Sequence, residues 1–150
     1  MLELISTRAS VLGCFASADA LDGLAGSFRV APDEAMILGG PSEIQTDPIS
    51  ETLGEDALVL DMTDGWVIWT LAGEDAYNAF AYLSPVRLQG EGFTTGKVVR
   101  IPVRIVSQAD RLHLIVPAMW GSYLHERILH DCANLDVRER TEPVEWEVPA

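Results

Sequence analysis

The chain has 150 residues, 48% of them apolar, with a mean hydropathy of +0.15; it is long enough to bury a core and too apolar to be disordered. Ten Lys and Arg against 23 Asp and Glu leave a formal charge of -13 and a pI of about 4.4. That balance argues against the DNA backbone and anionic lipid as general partners.

One compact domain over residues 1–150 is expected. Val11-Leu12-Gly13-Cys14 has the form of a lipoprotein cleavage box, but Glu3, Ser6, Thr7, Arg8 and Ser10 break any apolar segment before it. No run is long enough for a membrane helix. Cys14 and Cys132 are far apart and fit no metal-ligand spacing. Buried reduced thiols in a cytoplasmic protein are expected.

Residues 11–16 read as a short strand. Ser17 is a helix N-cap candidate, with Ala20, Leu21, Leu24 and Ala25 on one face and Gly26 as the stop. Pro32-Asp33 marks a turn before a buried strand at Ala35–Leu38. The stretch 41–56 is a polar connection in which Ser50–Leu53 could form a helical turn.

Ala57 to Leu83 is the organising segment. Asp64-Gly65 lies between two apolar runs, the strongest short-range signal for a hairpin, and predicts one over 58–71. Trp66, Ile68 and Thr70 alternate with Val67, Trp69 and Leu71, so both faces of this strand are expected to be covered. A helix follows, with Ala76, Ala79, Phe80 and Leu83 as its buried stripe, and Ser84-Pro85 closes it.

Residues 86–96 read as a glycine-punctuated loop and Val98–Val106 as a strand, with Pro102 arguing for an edge position or a bulge. The strand at 111–116 completes a hairpin over 98–116. Trp120 to Leu135 is the last helix, with Trp120, Leu124 and Ile128 as its apolar face and Cys132 and Leu135 as candidates to extend it. Residues 136–150 form a charged tail in which Val144-Trp146-Val148 points to a short terminal strand or to an arm laid on a partner.

Three apparent motifs fail. Gly90–Lys97 has Glu91 where a phosphate loop needs its first glycine, and Val98 where it needs the closing Ser or Thr. His125 and His130 are five residues apart, which turns them about 140° from each other on a helix and argues against a metal pair. Asp64 is accounted for by its turn, leaving Asp61 as a carboxylate in a mostly apolar strand that needs a partner. No catalytic triad follows from spacing. Charge is uneven: Arg87, Lys97, Arg100, Arg104 and Arg111 face only Glu91 and Asp110 between residues 87 and 111. This band could meet an anionic ligand or an acidic partner, or decorate the solvent face of a sheet.

The order of features carries a resemblance. Gly40-Pro41-Ser42-Glu43 precedes the block LVLDMTDGWVIWTLAGEDA. A helix with Phe80 and Leu83 follows, then Ser84-Pro85-Val86-Arg87-Leu88, Phe93 and Gly96, an arginine-bearing strand pair, Val116-Pro117, and a helix opening with Trp120 and Tyr123-Leu124. This order resembles the gamma subunit of heterotetrameric sarcosine oxidase and, more broadly, the folate-binding N-terminal domain of aminomethyltransferases. It covers most of 28–135. The chain departs from the family at Ser84, where such subunits often carry cysteine, and at Arg87, where an acid is usual. It lacks the further barrel domain of full aminomethyltransferases and the cysteine motif of the related iron–sulfur maintenance proteins.

The resemblance implies an α+β fold with a mainly antiparallel sheet, helices packed on it, and two ferredoxin-like halves meeting near Asp61. It also implies an accessory, non-catalytic subunit without a metal or cofactor of its own, joined to larger flavoprotein subunits. Those partners would hold FAD, FMN, NAD and tetrahydrofolate, and would demethylate sarcosine oxidatively. Trp120, Tyr123 and Trp146 are the interface candidates, although Trp120 also reads as ordinary core. In isolation such a chain is expected to be poorly behaved or to self-associate as a homo-oligomer. The alternative is a stand-alone folate-binding or one-carbon-transfer protein. Arg87, Lys97, Arg100 and Arg104 would then meet the folate carboxylates, and Asp61 would serve as the acid near the pterin or amine. A third reading is an unrelated small α+β interaction domain.

Overall fold

A computed structural model describes residues 1–40 and 46–147. Pro41, Ser42 and Glu43 of the resemblance, and Val148 of the terminal alternation, lie outside the described residues. The fold is α+β; the described residues form ten strands in two sheets and four α-helices. The chain forms two compact units, a small one of residues 8–64 and 145–150, and a large one of residues 1–7 and 65–144.

The small unit runs β2 (Ser10–Phe15), α1 (Ala18–Asp22), β3 (Phe28–Ala31), β4 (Glu34–Gly39), α2 (Thr46–Leu53) and β5 (Leu58–Asp61). Its sheet order is β3-β4-β2-β5, with antiparallel neighbours. A βαββαβ run with that strand order is the ferredoxin-like arrangement. Ser17 Oγ caps α1 by accepting from Ala20 N at 3.2 Å. The helix stops at Gly23 rather than Gly26, because the Gly23 N–H already closes onto the carbonyls of Ala20 and Leu21. Cys14, Leu21, Ala35 and Leu53 form an apolar cluster between sheet and helices.

The large unit contains β1 (Leu2–Arg8), β6 (Trp66–Ala72), α3 (Ala76–Leu83), β7 (Gly92–Val98), β8 (Ile101–Ser107), β9 (Arg111–Pro117), α4 (Gly121–Asp131) and β10 (Val137–Glu145). Its sheet order is β10-β1-β6-β9-β8-β7. Without β1 and β7, the remaining β6-α3-β8-β9-α4-β10 has the same ferredoxin-like order. The two expected halves are therefore present, with β1 inserted into the second sheet and β7 added at its edge. Leu71, Leu112, Leu114, Ile105, Leu124 and Ile128 are fully buried where α3 and α4 cover one face of that sheet.

Four expectations are corrected. The hairpin over 58–71 does not form. Thr63–Gly65 make a 3-10 turn, β5 pairs with β2, and β6 pairs with β1 and β9. The Asp-Gly signal marks the passage from one sheet to the other. The loop over 86–96 and the strand over 98–106 are redistributed: Gly92–Val98 is itself a strand, and the chain reverses at Val99-Arg100 to pair Val98 with Ile101. Leu2–Arg8, read only as a failed leader, is an inner strand of the large sheet.

The fourth correction concerns Trp120, which is 42% exposed. Residues 118–120 form a 3-10 turn, so the α-helical row starts at Gly121 and continues through Leu124, Ile128 and Cys132. Gly121 carries the close approach, since a Cβ there would lie 3.2 Å from Val67 Cγ2.

Other expectations hold. Both faces of β6 are buried, with Ile68 and Thr70 on one side and Leu71 on the other. The predicted stripe of α3 is buried in full, and Ser84 is extended as the following proline requires. Pro102 pairs only with Lys97 of β7, because β8 meets β9 only from Arg104 onward. A missing N–H therefore leaves no ladder bond open at that position.

Candidate functional site

The outer hairpin of the large sheet sets up the most unusual local geometry. A two-residue turn closed by Val98 and Ile101 demands positive φ at both central residues, normally met by Asn or Gly. Here they are Val99 at φ 45° and Arg100 at φ 71°. A β-branched residue in that region is a genuine outlier. The turn is held by Val99 N donating to Leu83 O at 2.8 Å, at the end of α3. Ser84 Oγ donates to Lys97 O at 2.6 Å from the same place. The chain tightly fixes a tip that its own side chains disfavour.

The tip carries Arg100 to α4. Val99, Arg100, Tyr123 and Arg127 line one pocket of about 290 Å³. Arg127 Nη2 donates to Asp131 Oδ2 at 2.9 Å, while its buried Nε has no hydrogen-bond partner among the described residues. Tyr123 continues the site into an edge-to-face pair with Trp120, ring centroids 6.1 Å apart. Met119 beside them is 80% exposed.

The basic band predicted from sequence does not converge on one site. Lys97 and Arg104 share a second pocket of about 370 Å³ with Trp66, Pro102 and Pro117, on the sheet face away from α3 and α4. There the Arg104 guanidinium lies 4.2 Å from the Trp66 ring centre, a cation–π contact. Arg87 lines a third pocket with Glu91 and Phe93. Asp61 lies in the small unit, where its Oδ1 accepts from Thr63 N at 3.0 Å and from Thr63 Oγ1 at 2.6 Å. Those bonds, the hydroxyl first, hold its carboxyl below the usual range. Its partner is thus a local turn that finishes β5. Trp146 is buried, at 6% exposure, with its backbone N–H donating to Arg8 O at 2.7 Å.

One polar constellation was missed by the sequence reading. Thr7 Oγ1 lies 2.7 Å from Thr70 Oγ1, and Thr70 Oγ1 lies 2.7 Å from His113 Nδ1. His113 Nε2 reaches Gln108 Oε1 at 3.2 Å. Burial, and then the nearby Arg111 charge, lower the imidazole pKa to about 4 despite the opposing effect of Asp110. The neutral ring satisfies every bond in one direction. Nε2–H donates to Gln108, Nδ1 accepts from Thr70, and Thr70 accepts from Thr7. The available signal was Thr70 opposite His113 in antiparallel register, which requires knowing the strand pairing.

The two α4 histidines find separate partners, as their spacing requires. His125 stacks on Trp69 and bonds to Glu139, whereas His130 Nδ1 lies 2.9 Å from Asp131 Oδ1. Among the described residues, no group of three or more His, Cys, Asp or Glu could hold a metal ion. Both thiols are buried and unpaired, and burial raises Cys132 to about 11. No described helix is long and apolar enough to cross a membrane.

No family model and no curated protein sequence matches the chain. The fold is that of a chain of heterotetrameric sarcosine oxidase from Corynebacterium sp. U-96, solved in complex with pyrrole 2-carboxylate. The two superpose with a TM-score of 0.79 at 16% identity, over 93% of this chain and 88% of that one. Protein Atu0741 from Agrobacterium tumefaciens aligns with 97% of each chain at 18% identity, but its TM-score of 0.45 gives it no weight. The same applies to E. coli aspartokinase III, with 14% identity over 90% of this chain and 32% of that chain and a TM-score of 0.40.

Proposed function

We propose that this chain is the small, non-catalytic gamma-type subunit of a sarcosine-oxidase-like flavoenzyme. It would shape or assemble larger chains that hold FAD, FMN, NAD and tetrahydrofolate and demethylate an N-methylated amino acid oxidatively. One observation carries the reading: the chain matches one chain of a heterotetramer almost end to end, through both units. The exposed Met119, Trp120 and Tyr123 are consistent with it, since clustered large apolar side chains mark contact surfaces. The test is affinity purification of the tagged chain from its own cells, with an absorbance spectrum of the eluate. Stoichiometric larger chains with a flavin spectrum are expected. A colourless chain recovered alone sinks the proposal.

A second reading, stand-alone folate binding, draws on the Trp66–Lys97–Arg104 pocket, where an aromatic face and two cations suit an aromatic anion. Tetrahydrofolate would then raise the melting temperature, and Lys97→Ala with Arg104→Ala would remove the rise. Arg100 and Asp61 take no part in that pocket, so substituting them would leave the rise in place.

A further inference from the structure

We infer that the Arg100–Arg127 pocket, with the Trp120–Tyr123 pair beside it, is the surface on which the chain docks a carboxylate-bearing, apolar segment of a companion polypeptide. The inference deepens the subunit reading above and rests on it.

Charge complementarity identifies the occupant. The chain has a formal charge of -13, yet two guanidiniums line a single pocket here. Like charges placed together disfavour each other unless an anion joins them. Arg100 makes no hydrogen bond or ion pair among the described residues. Asp131 satisfies one end of Arg127 and leaves its buried Nε unmatched. A carboxylate between the two forks would accept from Arg100 and from the exposed end of Arg127, in the planar manner that arginine favours.

The neighbouring groups are apolar. Trp120 and Tyr123 are each 42% exposed and Met119 is 80% exposed, on the same turn and helix start that supply one wall of the pocket. Aromatic and arginine side chains with a methionine are the composition of an interface centre rather than of an ordinary solvated face. A free inorganic anion would use the guanidiniums and leave these rings in water. A polypeptide segment with an acid flanked by apolar side chains would cover both.

The strained tip supports the assignment. Val99 and Arg100 hold left-handed backbone conformations that glycine or asparagine would hold more easily. Glycine at position 100 would relax the turn but remove the guanidinium from the pocket. Strain retained where a simple substitution would relieve it marks a position kept for its side chain.

The test uses the complex. The tagged wild-type chain is purified with its larger companions, the companions are separated, and their affinity for re-added full-length chain is measured. The variants are Arg100→Gly, Arg127→Ala and, as a control for charge alone, the exposed Arg138→Ala. Arg100→Gly is expected to melt no lower than wild type and yet bind about tenfold more weakly or worse, with a shallower salt dependence. Arg127→Ala should weaken binding similarly, whereas Arg138→Ala should leave it within about twofold. If Arg100→Gly and Arg127→Ala bind as tightly as wild type, the docking surface lies elsewhere and the subunit reading stands. If the wild-type chain retains no larger companion, both readings fall.

Discussion

The small and large units share one βαββαβ skeleton and differ in what has been added to it. In the small unit the turns follow ordinary chemistry. Pro32-Asp33 joins β3 to β4, and the described residues with positive φ are the glycines Gly26 and Gly54. The large unit gains β1 inside its sheet and β7 at its edge, and it contains all three described non-glycine residues with positive φ, Val99, Arg100 and Asp136. The pockets around Arg87, Lys97 and Arg100 all touch β7 or its turn. Turns at a sheet edge are where backbone strain and surface chemistry can be tolerated, and Val99-Arg100 is such a turn at the end of β7, although β1 and β7 themselves reach the core through Leu2, Leu4 and Val98.

That view is tested most severely in the cores. Leu114 lies fully buried in the middle of β9 under α3 and α4, with Trp69 and Ile105 opposite it in the paired strands. Leu114→Ala should cost about 3–5 kcal/mol. Leu53 ends α2 in the small unit and keeps 8% exposure, so Leu53→Ala should cost about 2 kcal/mol, since its edge can relax. Urea unfolding of both variants decides the matter. Equal losses would remove the energetic distinction between a mid-sheet position and a helix end.

The buried polar chain of the large unit gives the next largest effect, as a dependence on pH. His113 has a folded pKa of about 4 against an ordinary value of 6.5. Between those values the unfolded state binds the proton and the folded state does not, so stability is complete above about pH 6.5 and falls as pH drops towards 4. The full span is worth about 3 kcal/mol by linkage. The measurement is unfolding free energy at pH 7, 5.5 and 4 for wild type and His113→Gln. Many carboxylates titrate near the low end, so the difference between the two slopes is the quantity that matters. Parallel slopes would show that His113 is not a source of acid sensitivity.

Particular residues show what the sequence could reveal. The alternation through β6, β8 and β9 and the stripe of α3 were legible because each depends on one face meeting one core. The Asp64-Gly65 signal was real as a turn and misleading as a hairpin, since a local motif cannot say which sheet receives the next strand. The hairpin at Val99-Arg100 has neither glycine nor asparagine in its turn, so its alternating residues read as the start of the strand over 98–106 and β7 before them read as loop, whereas the hairpin formed by β8 and β9 was legible. Leu2–Arg8 was lost for a related reason: its polar residues weakened the apolar pattern, although Leu2, Leu4 and Ile5 are all buried. Of the candidate site, the residue types in the cationic band were readable. Their division among three pockets was not, because it is decided by strand register and by the phase of α4.

Two glycines, one in each unit, allow the finest comparison. A Cβ added at Gly13 of β2 would lie 2.5 Å from Met62 Sδ, the far part of a flexible side chain. A Cβ added at Gly96 of β7 would run into Val86 Cγ2, with Val86 Cβ at 3.6 Å. Methionine has several rotatable bonds with which to withdraw, whereas a β-branched valine has one strongly restricted torsion. Alanine also gains over glycine in a strand by about 0.5–1 kcal/mol. Gly13→Ala should therefore change stability by less than about 1 kcal/mol, and Gly96→Ala should destabilise by about 1–3 kcal/mol. Thermal melts of the two variants, with Val86→Ala added to the second, check the mechanism. Restoration of Gly96→Ala by Val86→Ala would locate the clash at the valine methyl. Failure to restore would mean that the loss arises elsewhere than at the valine methyl, since Gly96 has no positive φ that would require glycine.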